Sequence, residues 1–232
     1  YRSAEGFRLA QALTALGLVT AGVIAAGIRA RRKHHPGSPG GGISFSVAAV
    51  GWTEISLEVI IILAFQILFG FAYRFTAVIV TGYMAGLLAG SWLTSARRHR
   101  TSTPGSFRTV QFVMALYPGF LALLLAALGR GGHPHQAAAF LFPAASAAAG
   151  FIGGRQFIIA NRLISPPDPA APVKTPALYS MDLAGSAGGA LAVSALFLPI
   201  LGVMETLAFL CVLNLAALAA VLLTAVPPHT GR

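Results

Sequence analysis

Residues 51–70 have the sequence GWTEISLEVIIILAFQILFG. They belong to an apolar stretch, residues 44–71, that is longer than the roughly 20 residues a helix needs to cross a bilayer. Two carboxylates, Glu54 and Glu58, lie one helical turn apart and therefore on one face. Acids inside hydrocarbon are costly and are rarely placed there without a role. The stretch therefore predicts a transmembrane helix with a functional acidic face.

The composition predicts that the rest of the chain is also made of transmembrane helices. Of the 232 residues, 56% are hydrophobic and only 9% are charged, and apolar stretches follow one another almost from end to end. This pattern predicts an all-α, polytopic transmembrane bundle of about seven helices. Residues 1–42 are predicted to form the first helix and a basic, Pro/Gly-rich cytoplasmic loop, and residues 43–232 a six-helix module. The predicted helices lie near residues 7–29, 44–71, 73–96, 108–129, 136–162, 178–201 and 204–226.

The net charge of +10 indicates topology and not nucleic-acid binding, because the basic residues cluster between apolar stretches. If the first helix runs from outside to inside, eleven basic residues face the cytoplasm, four face outside, and Arg155 lies within a span. This bias predicts an outside N-terminus and a cytoplasmic C-terminus. The cytoplasmic set is Arg29, Arg31, Arg32, Lys33, Arg97, Arg98, Arg100, Arg108, Arg162, Lys174 and Arg232, and the outside set is Arg2, Arg8, Arg74 and Arg130.

Four charged residues on three predicted helices are expected at a similar depth: Glu54, Glu58, Arg155 and Asp182. A rise of about 1.5 Å per residue places Glu58 near the midplane and Glu54 about 6 Å closer to the cytoplasm. We expect a polar cavity open to the cytoplasm, in which Arg155 pairs with Asp182 or Glu54. Glu58 then stays unpaired, to carry a proton or to meet a cationic ligand. The alternative is that the four residues only form ion pairs and hydrogen bonds that fix the helices.

Other polar residues and the glycines are assigned to packing. Glu205, at the predicted start of the last helix, is expected to be an interfacial N-terminal charge. Gln66 and Asn214 are expected to form hydrogen bonds between helices. Small residues at four-residue spacing let helix backbones approach closely. The glycines at this spacing are Gly82, Gly86, Gly90, Gly150, Gly154, Gly185 and Gly189.

No catalytic or metal-binding residue is assigned. The chain has a single cysteine, Cys211, and its six histidines fall in predicted loops or the tail, so neither a thiolate metal set nor haem ligands within the spans are available. There is no Gly-rich phosphate loop, no G-x-S-x-G and no H-E-x-x-H. The sequence therefore predicts no covalently bound cofactor and leaves a quinone or a lipid as the possible bound groups.

The stretch from Ile43 to Val226 resembles the membrane module of bacterial fused proteins in which a polytopic, major-facilitator-like region is joined to a spermidine-synthase-like domain. The resemblance rests on residues 51–70, on residues 81–92 (TGYMAGLLAGSW), and on residues 178–216, which begin LYSMDLAGSAGG. The positions that match the family include Tyr179 as well as Asp182, Glu54 and Glu58. The aminopropyltransferase domain is absent, so the chain is not itself expected to be an aminopropyltransferase. The extra first helix suggests the C-terminal half of a longer protein.

Two functions remain open from the sequence. The first is a transport-like or ligand-sensing module whose acids handle protons or an organic cation, which would require a missing N-terminal half or an oligomer. The second is a non-haem integral subunit of a respiratory electron-transfer complex, which anchors redox subunits and lines a quinone site. A pure scaffold is the third possibility. Membrane lipid is the partner expected in every case.

Overall fold

The computed structural model describes residues 40–70, 73–96, 103–130, 135–164 and 175–223. All the regular structure in these residues is helical. The helix predicted near residues 7–29 lies outside the described residues. The six described helices are α1 (Gly40–Phe69), α2 (Tyr73–Ala96), α3 (Pro104–Arg130), α4 (His135–Ile164), α5 (Thr175–Ile200, with a π-helical turn at Val193–Phe197) and α6 (Val203–Leu223).

Five of these helices are long and apolar enough to cross a membrane: α1, α2, α3, α5 and α6. The fourth, α4, has 30 residues and thus sufficient length, but it is not among these five. The predicted helical membrane bundle is therefore confirmed in its class. The count of seven helices and the orientation of the termini remain predictions.

Some helices begin before the positions expected from hydropathy. Helix α1 starts at Gly40, so the glycines assigned to the preceding loop form its first turn, which leads into the buried Ile43. Helix α3 starts at Pro104, in the stretch predicted as a loop. Thr103 caps it: the Ser106 N–H donates to Thr103 Oγ1 at 3.1 Å, and the Thr103 N–H donates to Ser106 Oγ at 3.0 Å. Hydropathy places such helix starts a few residues too late in the sequence, because the residues of the first turn and its cap are not strongly apolar.

Helix α1 is the central helix of the described bundle. In its apolar window 67% of the residues are buried, against 17% to 44% in the other four candidate spans. It packs against α4, α5 and α6, and Leu57, Ile60 and Ile61 are completely buried. An acid on this helix is therefore surrounded by protein, and its neighbours are set by the other helices.

In two helix pairs, glycines let the backbones of the two helices come into direct contact, because glycine has no side chain to keep them apart. A Cβ added at these glycines would fall within contact distance of backbone atoms on the opposite helix. Across α2 and α4 the pairs are Gly82 with Pro143, Gly86 with Ala147, Gly90 with Phe151, Gly150 with Tyr83 and Gly154 with Leu87; across α1 and α5 they are Gly185 with Ala48 and Gly189 with Trp52.

We expect Gly86→Ala to lower the free energy of unfolding by about 1–3 kcal/mol, because the new methyl group would overlap the Ala147 carbonyl and force α2 and α4 apart. Gly129→Ala is the matched control, since a Cβ there meets open space, and its stability should stay within about 1 kcal/mol of wild type. Denaturant titration in detergent micelles measures both. Equal midpoints for the two variants would contradict the close approach.

Candidate functional site

Glu54 lies where α1, α2 and α4 meet. Its side chain is only 7% exposed, and the Tyr83 hydroxyl of α2 donates a hydrogen bond to its Oε2 at 3.0 Å. On α4, Gly153 leaves the space that the carboxylate fills, because an added Cβ would overlap Oε1 of Glu54. Oε1 has no hydrogen-bond partner among the described residues. Tyr83 therefore satisfies one oxygen of this buried acid, and the other is a buried acceptor without a hydrogen-bond partner in the described part of the chain.

Asp182 of α5 lies against Gly51 of α1, which is about one helical turn before Glu54. A Cβ added to Gly51 would lie 2.6 Å from Oδ1 of Asp182 and 2.9 Å from Oγ of Ser186, so the glycine makes room for both side chains. The contacts of Gly185 and Gly189 hold α5 at this distance. Asp182 is only partly buried and so lies nearer to the surface than Glu54.

Glu54 and Asp182 line one cavity of about 200 Å³ between α1, α2, α4 and α5. Tyr179 also lines it, is 53% exposed, and contacts the Phe157 ring edge-on with 6.5 Å between ring centroids. No Lys, Arg or His is among the described residues of the wall. The lining residues are Val47, Val50, Glu54, Leu87, Ser91, Gly153, Gly154, Gln156, Phe157, Tyr179 and Asp182.

The structure places Glu58 in a different environment. Its Oε2 accepts a hydrogen bond from Ser146 of α4 at 2.7 Å, its Oε1 has no partner in the described part of the chain, and its side chain is 8% exposed. Glu58 is not among the residues that line the cavity. The two acids share a helix face, as expected, but not a site.

Arg155 does not join the acids. Its guanidinium lies 5.7 Å from the centroid of the Phe151 ring, and it forms no ion pair with Glu54 or Asp182 in the described residues. The expected pairing is therefore not found. The helical period explains the difference: Gly153 faces Glu54, and two residues turn the helix by about 200°, which points Arg155 away from α1.

A buried polar network connects the cavity to α1, α3 and α6. Gln156 lies in the cavity wall, and its Nε2 donates to Gln111 Oε1 at 2.5 Å and to Ser46 Oγ at 3.1 Å. Gln111 Nε2 donates to Asn214 Oδ1 at 3.2 Å, and Asn214 Nδ2 donates to Thr53 Oγ1 at 2.6 Å. The interhelical role predicted for Asn214 is confirmed. No side-chain hydrogen bond of Gln66 is found within the described residues.

Three residues of the site were not assigned to it from the sequence. Tyr83 lies between Gly82 and Gly86 on a helix predicted to pack closely, and this position is a signal that it faces a neighbouring helix. Gly153 has no side chain, so a search for polar or charged residues does not select it. Gln156 adjoins Arg155 in the sequence, but its side chain lies about 100° further around the helix and carries the buried polar role that was expected of its neighbour.

Comparison with protein-family models, with curated proteins and with solved structures gives no match for this chain. The site must therefore be interpreted from its own geometry. It offers two carboxylates, a buried amide and two aromatic rings around a cavity with apolar walls.

We expect Gln111→Leu to lower the free energy of unfolding by about 1–3 kcal/mol, because Asn214 and Gln156 would lose a buried partner. Gln66→Leu is the control, because it makes the same substitution at a partly buried position of α1. Its free energy of unfolding should stay within about 0.5 kcal/mol of wild type. Denaturant titration of both variants in the same micelles tests the network. An equal loss at both positions would show that the buried hydrogen bonds contribute nothing specific.

Proposed function

We propose that this chain is a multi-pass protein of the bacterial inner membrane whose acidic cavity binds a cation, either a proton or a small organic cation, for transport or ligand sensing. The observation that carries the proposal is the cavity in which Glu54 and Asp182 lie without a cationic partner among the described residues. Five helices long and apolar enough to cross a membrane support the multi-pass membrane part of this proposal.

Electrostatics favour a cation in this cavity. Carboxylates lose hydration when they are buried, and two of them in one apolar cavity also repel each other. A bound proton or cation offsets both costs. The rings of Tyr179 and Phe157 at the wall add a surface that attracts organic cations. The site therefore suits a positively charged ligand better than a neutral or negative one.

The exposed rim suggests how a ligand reaches the buried acid. Tyr179 and Asp182 lie in the first two turns of α5 and are the more accessible part of the wall, whereas Glu54 is deep. With the orientation predicted from the basic clusters, this end of α5 faces the cytoplasm. We propose that the cation enters from the cytoplasmic side and meets Asp182 before Glu54.

The relation to spermidine-synthase-associated membrane modules is kept as a proposal, supported by the order and spacing of the three motifs. A complete transporter would need a second copy or other membrane subunits, because familiar designs use more helices. The alternative of a respiratory subunit with a quinone site is not favoured by any contact in the described residues.

The experiment is a binding assay on the full chain in lipid nanodiscs, with n-butylammonium and tetramethylammonium as probes and proton uptake followed by a pH indicator. We expect Glu54→Gln to weaken the binding of whichever cation binds by at least about thirtyfold, since it removes one member of a buried charge pair. Glu205→Gln should leave binding unchanged, because Glu205 is an exposed acid in the first turn of α6.

Two outcomes would contradict the proposal. One is equal cation binding and proton uptake by wild type, Glu54→Gln and Glu205→Gln. The other comes from native mass spectrometry of the protein extracted gently from its membrane: redox subunits and quinone that co-purify with it would make it a respiratory-complex subunit.

A further inference from the structure

The chemical class of the cation can be inferred from the hydrogen-bonding atoms that the cavity leaves without partners. Oε1 of Glu54 and Oε1 of Gln156 are both buried acceptors without a hydrogen-bond partner among the described residues, and both residues line the cavity. Their side chains are 7% and 1% exposed. Buried acceptors of this kind are normally satisfied by protein, water or a ligand.

The polar network fixes which amide atom of Gln156 is left without a hydrogen-bond partner among the described residues. Asn214 Nδ2 donates to the backbone carbonyl of Leu210 at 2.8 Å, and a carbonyl can only accept, so Asn214 Oδ1 must be the acceptor for Gln111 Nε2. Gln111 Oε1 then accepts from Gln156 Nε2. The amide oxygen of Gln156 is therefore the atom left over.

Acceptors exceed donors in the cavity. The wall supplies the carboxylates of Glu54 and Asp182 and the Gln156 oxygen, whereas its side-chain donors, apart from the Gln156 Nε2 already used in the network, are the hydroxyls of Ser91 and Tyr179. Tyr83 satisfies only the other oxygen of Glu54. A ligand that complements this wall carries positive charge and several N–H donors. An alkylammonium group with three N–H bonds meets both requirements.

The remaining wall is apolar and limits the size of the ligand. Val47, Val50, Leu87 and Phe157 can contact an alkyl chain. A cavity of about 150 Å³ is sufficient for benzene, so the 200 Å³ here suits a ligand of about five to eight non-hydrogen atoms. A short alkyl chain attached to an ammonium group has this size.

We propose that the cavity binds a primary alkylammonium ion, with Glu54 Oε1, Gln156 Oε1 and the Asp182 carboxylate accepting its three N–H bonds. The proposal rests on the proposed function, because it names the ligand class of the same cavity. It makes Gln156 a specificity-determining residue that distinguishes primary amines from other cations of equal charge.

Four isomeric cations of formula C₄H₁₂N⁺ test it, because they share charge and atom count and differ in N–H donors. They are n-butylammonium with three, diethylammonium with two, N,N-dimethylethylammonium with one and tetramethylammonium with none. Calorimetry on the wild-type chain in nanodiscs should show affinity falling in that order, by on the order of a hundredfold between the first and the last. Gln156→Leu should weaken n-butylammonium binding about tenfold and leave tetramethylammonium binding unchanged.

The possible results separate this inference from the proposed function. Equal affinity for all four isomers would overturn the primary-ammonium inference but leave cation binding in place. Tighter binding of tetramethylammonium would do the same and favour the aromatic rings as the main contact. A folded protein that binds none of the four isomers would overturn the inference, and if it also takes up no protons, the proposed function fails with it. If Gln156→Leu does not fold, the isomer series on the wild-type chain decides alone.

Discussion

Glycines let two pairs of helices in the described bundle approach until backbone meets backbone, and the position of the acidic cavity depends on these contacts. The α2–α4 contact brings Tyr83 and Gly153 to opposite sides of Glu54. The α1–α5 contact brings Asp182 against Gly51. A larger residue at either contact would separate a pair of helices and so remove one wall of the cavity. In an apolar solvent such packing is a main source of helix association, since lipid and apolar side chains are equally hydrophobic.

Around the central helix the polar residues are divided between two tasks. Ser46, Gln111, Gln156 and Asn214 form a network in which side-chain donors and acceptors largely satisfy each other. Glu54 is held by a single hydrogen bond from Tyr83. A network whose donors and acceptors pair with each other fixes structure, whereas a buried acid with an unpaired oxygen needs a proton, a water or a ligand to satisfy that oxygen. The two tasks meet at Gln156, which lines the cavity: its nitrogen belongs to the network, and its oxygen has no hydrogen-bond partner among the described residues.

Six of the seven predicted helices lie in the described part of the chain and are found there, because long apolar stretches have few alternatives in a membrane. Of the predicted site residues, Glu54, Asp182 and Tyr179 line one cavity. The structure departs from the prediction where the rotation of a helix matters. Glu58 and Arg155 were grouped with the cavity by depth alone, yet Glu58 faces Ser146 and Arg155 lies over Phe151. Depth follows from residue number, but the direction of a side chain depends on how each helix is turned against its neighbours.

The sequence by itself determined the class of the protein, the approximate helix positions and the rarity of its buried acids, because hydropathy and charge act locally along the chain. Only the tertiary structure decided which acid lines a cavity, that Tyr83 holds it, and that a glycine on α4 makes room for it. Those facts depend on contacts between helices about 29 to 130 residues apart, and a pattern along one helix carries no information about the rotation of another.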